Sequence, residues 1–258
     1  VKKLNEGLKG LQHKYQNEGY LLANYKDVNI SKEGKLSIEI DIGHINEVVI
    51  EGNNKTKEYV IRRNLDIEKG DILKLSAVQD AYRNLYNLQY FKNITPEFER
   101  IEGEDNLANL IIKVEEGKTG EFNFGAGYSS GESGGLFGYL NLKEDNLLGR
   151  GQSLSLDAQI GQNQDNYSLS FREPWLFGTE NSFGISIYNR SSDKADEEDG
   201  EYTEIRKGGS ISLGRPLTEM WDGNIKLKRE NVATKYKDNT TLNTEDEINS
   251  ITLTIDRD

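Results

Sequence analysis

The chain has 258 residues, 44 acidic against 32 basic for a formal charge of −12, no Cys and two His, and is 34% apolar with 9% aromatic residues. Without Cys there are no disulfides, thiolate nucleophiles or cysteine-based metal sites, and His13 and His44 alone cannot build a histidine-rich one. The negative charge, with no basic stretch against it, excludes a nucleic-acid partner, which needs cations to displace counterions from phosphates. The longest apolar run, Tyr20 to Ala23, falls far short of the about 20 residues of a membrane-spanning helix.

Charge and pattern divide the chain near Gly117 to Gly120. Residues 1–118 carry 18 basic and 20 acidic residues, and residues 119–258 carry 14 and 24. Val1 opens directly in a helical pattern, so any targeting signal is expected to have been removed or never to have been part of this sequence. Leu4, Leu8, Leu11 and Tyr15 recur at helical spacing, and Gly19-Tyr20 ends that helix. A β pair follows, with Leu36, Ile38, Ile40 and Ile42 alternating with Ser37, Glu39 and Asp41.

From His44 to Lys118 the pattern predicts a complete α+β unit. Its elements are a strand over Ile45–Ile50, a turn at Glu51-Gly52-Asn53-Asn54, helices over Thr56–Leu65 and Leu75–Phe91, and strands over Lys92–Arg100 and Leu107–Val114. Val78, Tyr82, Leu85 and Leu88 or Gln89 lie close to one helical face, so the helices are expected to cover one side of a three-stranded sheet. Residues 1–43 repeat the later part of this order, as a cut copy of the same unit would.

Residues 119–258 read differently, as eight segments of period two. These are Glu121–Ser129, Leu136–Glu144, Gln152–Gly161, Asn166–Arg172, Ser182–Arg190, Tyr202–Leu213, Gly223–Thr234 and Ile248–Asp256. Leu154, Leu156, Ala158 and Ile160 alternate with Ser153, Ser155, Asp157 and Gln159, for example. A soluble sandwich alternates too. The connections favour a transmembrane barrel: tight ones at Glu144–Gly151, Glu173–Asn181 and Gly214–Asp222 hold Trp175, Trp221 and the single Met, while Ser191–Glu201 and Lys235–Glu247 read as longer polar loops.

The runs INEVVIEGNNKT, GDIL, LYNLQYF and IKVEEG resemble a POTRA (polypeptide-transport-associated) domain over Ile45 to Gly117, with residues 1–43 as the C-terminal part of another. The stretch EFNFGAGYSS…NLKEDNLLGRGQSLSLDAQIG, with YSLSFREPWLFG and GGSISLGRPL, resembles the start of the barrel in the BamA-type outer-membrane assembly family. The turn at Asp145, Asn146, Gly149 and Gly151 and the strand end at Phe171 and Pro174 carry this likeness. The resemblance implies sixteen strands, of which about eight are present, and a late Arg-Gly-Phe motif that this chain lacks; an N-terminal fragment is therefore expected.

The same resemblance implies an outer-membrane location with periplasmic POTRA units, and a role in folding and inserting β-barrel proteins. Its implied partners are unfolded barrel proteins, the lipid bilayer and accessory lipoproteins. The first barrel strand (Glu121, Phe122, Asn123, Phe124, Gly125, Ala126, Gly127, Tyr128) is implied to form a lateral seam that templates a client hairpin. Gly125 and Gly127 weaken a strand interior or relieve crowding where a barrel curves. A POTRA edge at Asn93, Ile94, Thr95, Glu97 and Phe98 is the second expected client site, its backbone groups pairing with an extended peptide.

The competing reading is a two-partner-secretion or TamA-type translocation pore. An enzyme is not expected, nor any cofactor or metal. Gly149-Arg150-Gly151 and Gly125-Ala126-Gly127 lack the strand and helix context of a phosphate loop, and the acidic run Asp193–Glu201 lacks EF-hand spacing and reads as a solvated loop.

Overall fold

The structure is a computed structural model and describes residues 2–130, 134–196, 200–218 and 220–257. It contains two compact units that meet at Lys118/Thr119.

The first unit opens with α1 (Lys2–Asn17) and the antiparallel pair β1 (Asn24–Ile30) and β2 (Leu36–Asp41). Then come β3 (His44–Glu51), α2 (Glu58–Arg62), α3 (Leu75–Asn87), β4 (Phe91–Ile101) and β5 (Glu104–Glu116). The three-stranded sheet has the order β3-β5-β4, with β3 parallel and β4 antiparallel to the central β5. Both helices are shorter than the sequence predicts. Past Arg62 the chain turns through i+3 hydrogen bonds to a left-handed Asp66, and a left-handed Gln89 stops α3 before Phe91, which already belongs to β4.

Val60 and Ile61 of α2 and Val78, Ala81 and Leu85 of α3 are buried, and Ile61, Val78, Ala81 and Leu85 pack in one cluster with Ile45, Val48, Ile94, Ala108, Leu110 and Ile112 of the sheet. Each large apolar side chain so placed contributes about 1.5–3 kcal/mol. The β1/β2 segment is tied into this unit: the Leu21 N–H donates to the Leu73 carbonyl (3.1 Å), the Leu75 N–H to that of Gly19 (2.8 Å), and Leu22 enters the core.

The Gly-Asn turn after β3 has a physical reason. Gly52 has φ +89°, and a Cβ there would lie 2.0 Å from the Val114 carbonyl oxygen, so only glycine fits. Beyond it, the Glu116 carboxylate at the end of β5 accepts the backbone N–H groups of Asn54 (3.1 Å), Lys55 (2.8 Å) and Thr56 (2.5 Å). Burial opposes ionisation of Glu116, but the donors from Thr56, Lys55 and Asn54 outweigh it and hold the carboxyl below its usual value.

The second unit is one antiparallel sheet of eight strands, each paired to its neighbour in sequence: β6 (Gly120–Ser129), β7 (Gly135–Leu147), β8 (Gln152–Gly161), β9 (Gln164–Glu173), β10 (Ser182–Asp196), β11 (Gly200–Thr218), β12 (Trp221–Tyr236) and β13 (Thr244–Arg257). Strands β6 and β13 are its two edges. The register sorts side chains into rows. Phe122, Leu142, Leu156, Leu169 and Ile187 lie in one row and Phe171, Ile185, Ile211, Leu227 and Ile251 in another, both on the apolar face. On the opposite, polar face, Ser155, Ser170, Ser186, Ser210 and Lys228 form a row.

The described residues of the expected loop Ser191–Glu201 prove to be strand, while Lys235–Glu247 keeps a connection over 237–243 between strand residues at both its ends. Cross-strand pairs extend the hairpins: Thr203 donates to Asp193 (2.7 Å), Lys194 pairs with Glu204 (3.1 Å), and the rings of Tyr202 and Tyr236 stand 5.2 Å apart. Residues 197–199 of the acidic run lie outside the described residues.

Replacing Glu116 with Ala is expected to lower the stability of the first unit by about 1.5–3 kcal/mol, the scale of hydrogen bonds to a charged acceptor. Because the folded carboxyl is held below its ordinary value, its contribution is complete above that value and is lost as pH falls through the folded value. Urea unfolding from pH 7 down to pH 3 checks this: the gap between wild type and Glu116→Gln should narrow with acid. A constant gap would remove the carboxylate from the account.

Candidate functional site

The sequence-predicted first barrel strand is the edge strand β6. It pairs with β7 alone and keeps its other edge unpaired among the described residues. Phe122, Phe124, Ala126 and Tyr128 occupy the apolar face, with Phe124 73% exposed, while Glu121, Asn123, Gly125 and Gly127 occupy the polar face. On that face Gly125 stands opposite Tyr139 and Gly127 opposite Phe137. A Cβ on Gly125 would approach the Tyr139 hydroxyl to 2.8 Å and its ring to 2.9 Å, and one on Gly127 the Phe137 ring to 2.7 Å. The glycines are therefore seats for aromatic rings from β7, a packing role that the glycine spacing alone did not disclose.

The predicted edge in the first unit is β4, which among the described residues pairs only with β5. Its residues divide by role. Ile94 is buried in the core, Glu97 is engaged across the strands with Lys113 (2.7 Å), and Asn93, Thr95 and Phe98 are exposed. Pro96 sits in mid-strand; since prolines in sheets place their nitrogen away from the ladder, the free edge lacks one donor there.

The predicted turn residues are brought together at the end of the sheet where β7 meets β8. Asn146 is fully buried, and its side-chain oxygen accepts the Gly151 N–H at 2.8 Å. Its own N–H donates to Glu144 Oε1 (2.9 Å), which also accepts from the Thr119 hydroxyl (2.5 Å), and the Asp145 N–H donates to the Thr119 carbonyl (3.0 Å). Leu148, Gly149 and Gly151 all take positive φ. At the β9/β10 turn, Glu173 accepts the Trp175 N–H (2.9 Å) and the Gln152 side chain (2.7 Å). Phe171 lies on the apolar face and Pro174 opens the turn. Thr119, Glu144, Gln152 and Glu173 escaped the sequence reading, although a glutamate at a strand end beside a Gly- or Pro-containing turn is a signal for such a cap.

The polar face of β10–β12 carries an ionic cluster. The Tyr188 hydroxyl donates to Glu230 (2.6 Å), Lys228 donates to the same carboxylate (3.1 Å), Arg206 stands 3.6 Å from it, and Arg206 also bonds Glu204 (2.9 Å). Glu230 is 4% exposed. Among the described residues no group of three His, Cys, Asp or Glu side chains could hold a metal.

Two family models match the chain: "Surface antigen variable number repeat" of the POTRA type over residues 43–117, and "Omp85 superfamily domain" over residues 146–256. The outer membrane protein assembly factor BamA of Neorickettsia risticii is 30% identical over 168 residues, 65% of this chain and 22% of that protein. The first curated relatives are covered over only 22–24% of their lengths. The crystal structure of BamA from Haemophilus ducreyi lacking POTRA domains 1–3 superposes with a TM-score of 0.66 at 24% identity, covering 99% of this chain and 52% of that one. CdiB from Acinetobacter baumannii gives 0.56 at 17% identity over 99% and 50%. At these identities the two structures speak for the fold.

Asn146→Ala is expected to cost about 1–3 kcal/mol by orphaning a buried N–H, and Asn146→Asp less, since an acceptor oxygen remains; urea unfolding from lipid vesicles measures both. Gly127→Ala should likewise destabilise, and Phe137→Ala added to it should cost less than the two single changes together, with a coupling of about 0.5–3 kcal/mol. Simple additivity would refute the seating of the ring on the glycine.

Proposed function

The chain belongs to the Omp85 superfamily, a POTRA unit followed by strands of a transmembrane barrel, and from that premise we propose that the protein it forms part of folds and inserts outer-membrane β-barrel proteins. The observation that carries this reading is a POTRA-type unit followed by eight sequence-adjacent antiparallel strands with a lipid-compatible apolar face, of which β6 stands at the edge. Such an edge pairs with an extended client strand whatever its side chains, because the bonds are made by the main chain. Each bond also removes a polar group that lipid cannot satisfy, so strand addition and client insertion are driven together, without nucleotide hydrolysis.

The two glycine seats refine the templating step. The rings of Phe137 and Tyr139 hold β6 to β7 from the polar face, so the strand opens on its other edge and remains attached to the wall. Residues Glu121 to Tyr128 are then the client-pairing strand. The β4 edge, at Asn93, Ile94, Thr95, Glu97 and Phe98, engages clients in extended form before insertion, with one bond fewer at Pro96. The POTRA units stand in the periplasm and the barrel strands in the bacterial outer membrane. Accessory lipoproteins complete the proposed set of partners.

A translocation pore of the two-partner-secretion type shares this architecture. Depletion of the protein in its own cell separates the two: folded, protease-resistant porin-like proteins should fall severalfold in the outer membrane while their unfolded forms accumulate in the periplasm. Normal barrel assembly accompanied by loss of a single secreted protein would sink the insertase reading and favour the pore. A Cys at Ala126 should also form disulfides with cysteines placed along a client's terminal strand.

A further inference from the structure

The apolar face of β10–β13 contains a groove that reaches the edge strand β13 and lies far from β6. In the row Ile187, Gly209, Arg229 and Asn249 one side chain is missing at Gly209. The depression opens into a trough of about 720 Å³ whose walls include Ile187, Ile211, Leu227 and Ile251. At one end of it stand Lys207 and Arg229, toward the hairpin tips and away from the tight turns that hold both Trp residues. Arg229 is paired with Glu247 at 2.6 Å, whereas Lys207 has no ion pair among the described residues. One uncompensated cation therefore overhangs an apolar trough on the face that the membrane reading places in lipid.

We propose that this trough seats an anionic, phosphate-bearing lipid, one acyl chain lying over Gly209 and the phosphate held at Lys207 beside Arg229. The inference rests on that membrane reading of the apolar face. Charge complementarity selects the occupant: a neutral chain would gain nothing from Lys207, and a free anion nothing from the four aliphatic walls. Gly209 sets the depth, since a Cβ there would already meet the Ser186 carbonyl oxygen at 3.1 Å and Ile187 at 3.4 Å. A basic residue that merely snorkels to the interface selects no lipid, and equal retention of the two lipids is its signature.

The test uses the full-length protein, purified in neutral detergent and offered equal amounts of phosphatidylglycerol and phosphatidylcholine, with retained lipid counted by native mass spectrometry. Wild type should retain phosphatidylglycerol about fivefold over phosphatidylcholine, the effect of one basic residue near a membrane surface. Lys207→Ser with Arg229→Ser should abolish the preference, and Gly209→Leu, which fills the trough but keeps the charges, should lower retention of both lipids. Inorganic phosphate in excess should leave the bound lipid in place. Equal retention by wild type, a preference that survives in the double variant, or displacement by phosphate alone would each overturn the proposal. Failure of wild type to enter phosphatidylcholine vesicles at all would instead overturn the membrane reading beneath it.

Discussion

The second unit depends on one constraint, that every backbone N–H and C=O inside a bilayer must find a partner within the protein. Pairing each strand with its sequence neighbour meets this demand across β6 to β13 and makes the side-chain period two. A register slip of one residue would turn the aliphatic rows inward and the serine row toward lipid. Under the proposed function the same constraint makes the edge of β6 the place where an incoming strand would pair, since an unpaired edge in lipid is costly.

A second device recurs where the ladders end. Glu116 and Glu173 each close a strand and Glu144 stands at the irregularity near the end of β7, and each carboxylate accepts backbone N–H groups from the chain that leaves the regular ladder. Turn donors have no ladder partner, so an ionised acceptor is the strongest available substitute. Glu116 clamps the end of β5, the strand that precedes the barrel segment in sequence, onto the Gly52–Thr56 turn of the same unit. Glu144 and Glu173 fasten the two tight turns at one end of the sheet. Turn geometry and strand register are thereby coupled by single side chains.

Aromatic rings over glycines form the third recurrent contact. Tyr139 over Gly125, Phe137 over Gly127 and Tyr188 over Gly208 all lie on the polar face, and in the last case the ring crosses the glycine to reach Glu230. The ring covers a backbone that would otherwise have no side-chain neighbour, while the glycine admits the ring. Strand flexibility and strand adhesion are thus separate properties here: glycine weakens β6 by itself, and the β7 aromatics restore its hold on the wall.

Much of this was written in the residue order. Alternation at Leu154 to Ile160, the Gly52-Asn53-Asn54 turn and the aliphatic positions of α3 announced the strand faces, the POTRA turn and the core, because each follows from local periodicity or from a φ that only glycine tolerates. Hairpin length was not legible: Asp193, Lys194 and Glu201 look like loop residues until their partners Thr203, Glu204 and Lys237 stand opposite them. Nor could spacing disclose the rings seated on Gly125 and Gly127, the carboxylate caps, or the trough at Gly209, since each joins residues on different strands. Periodicity along the chain determined which face each residue occupies; only the tertiary register decided which residue it meets there, because that choice is made by the ladder between strands.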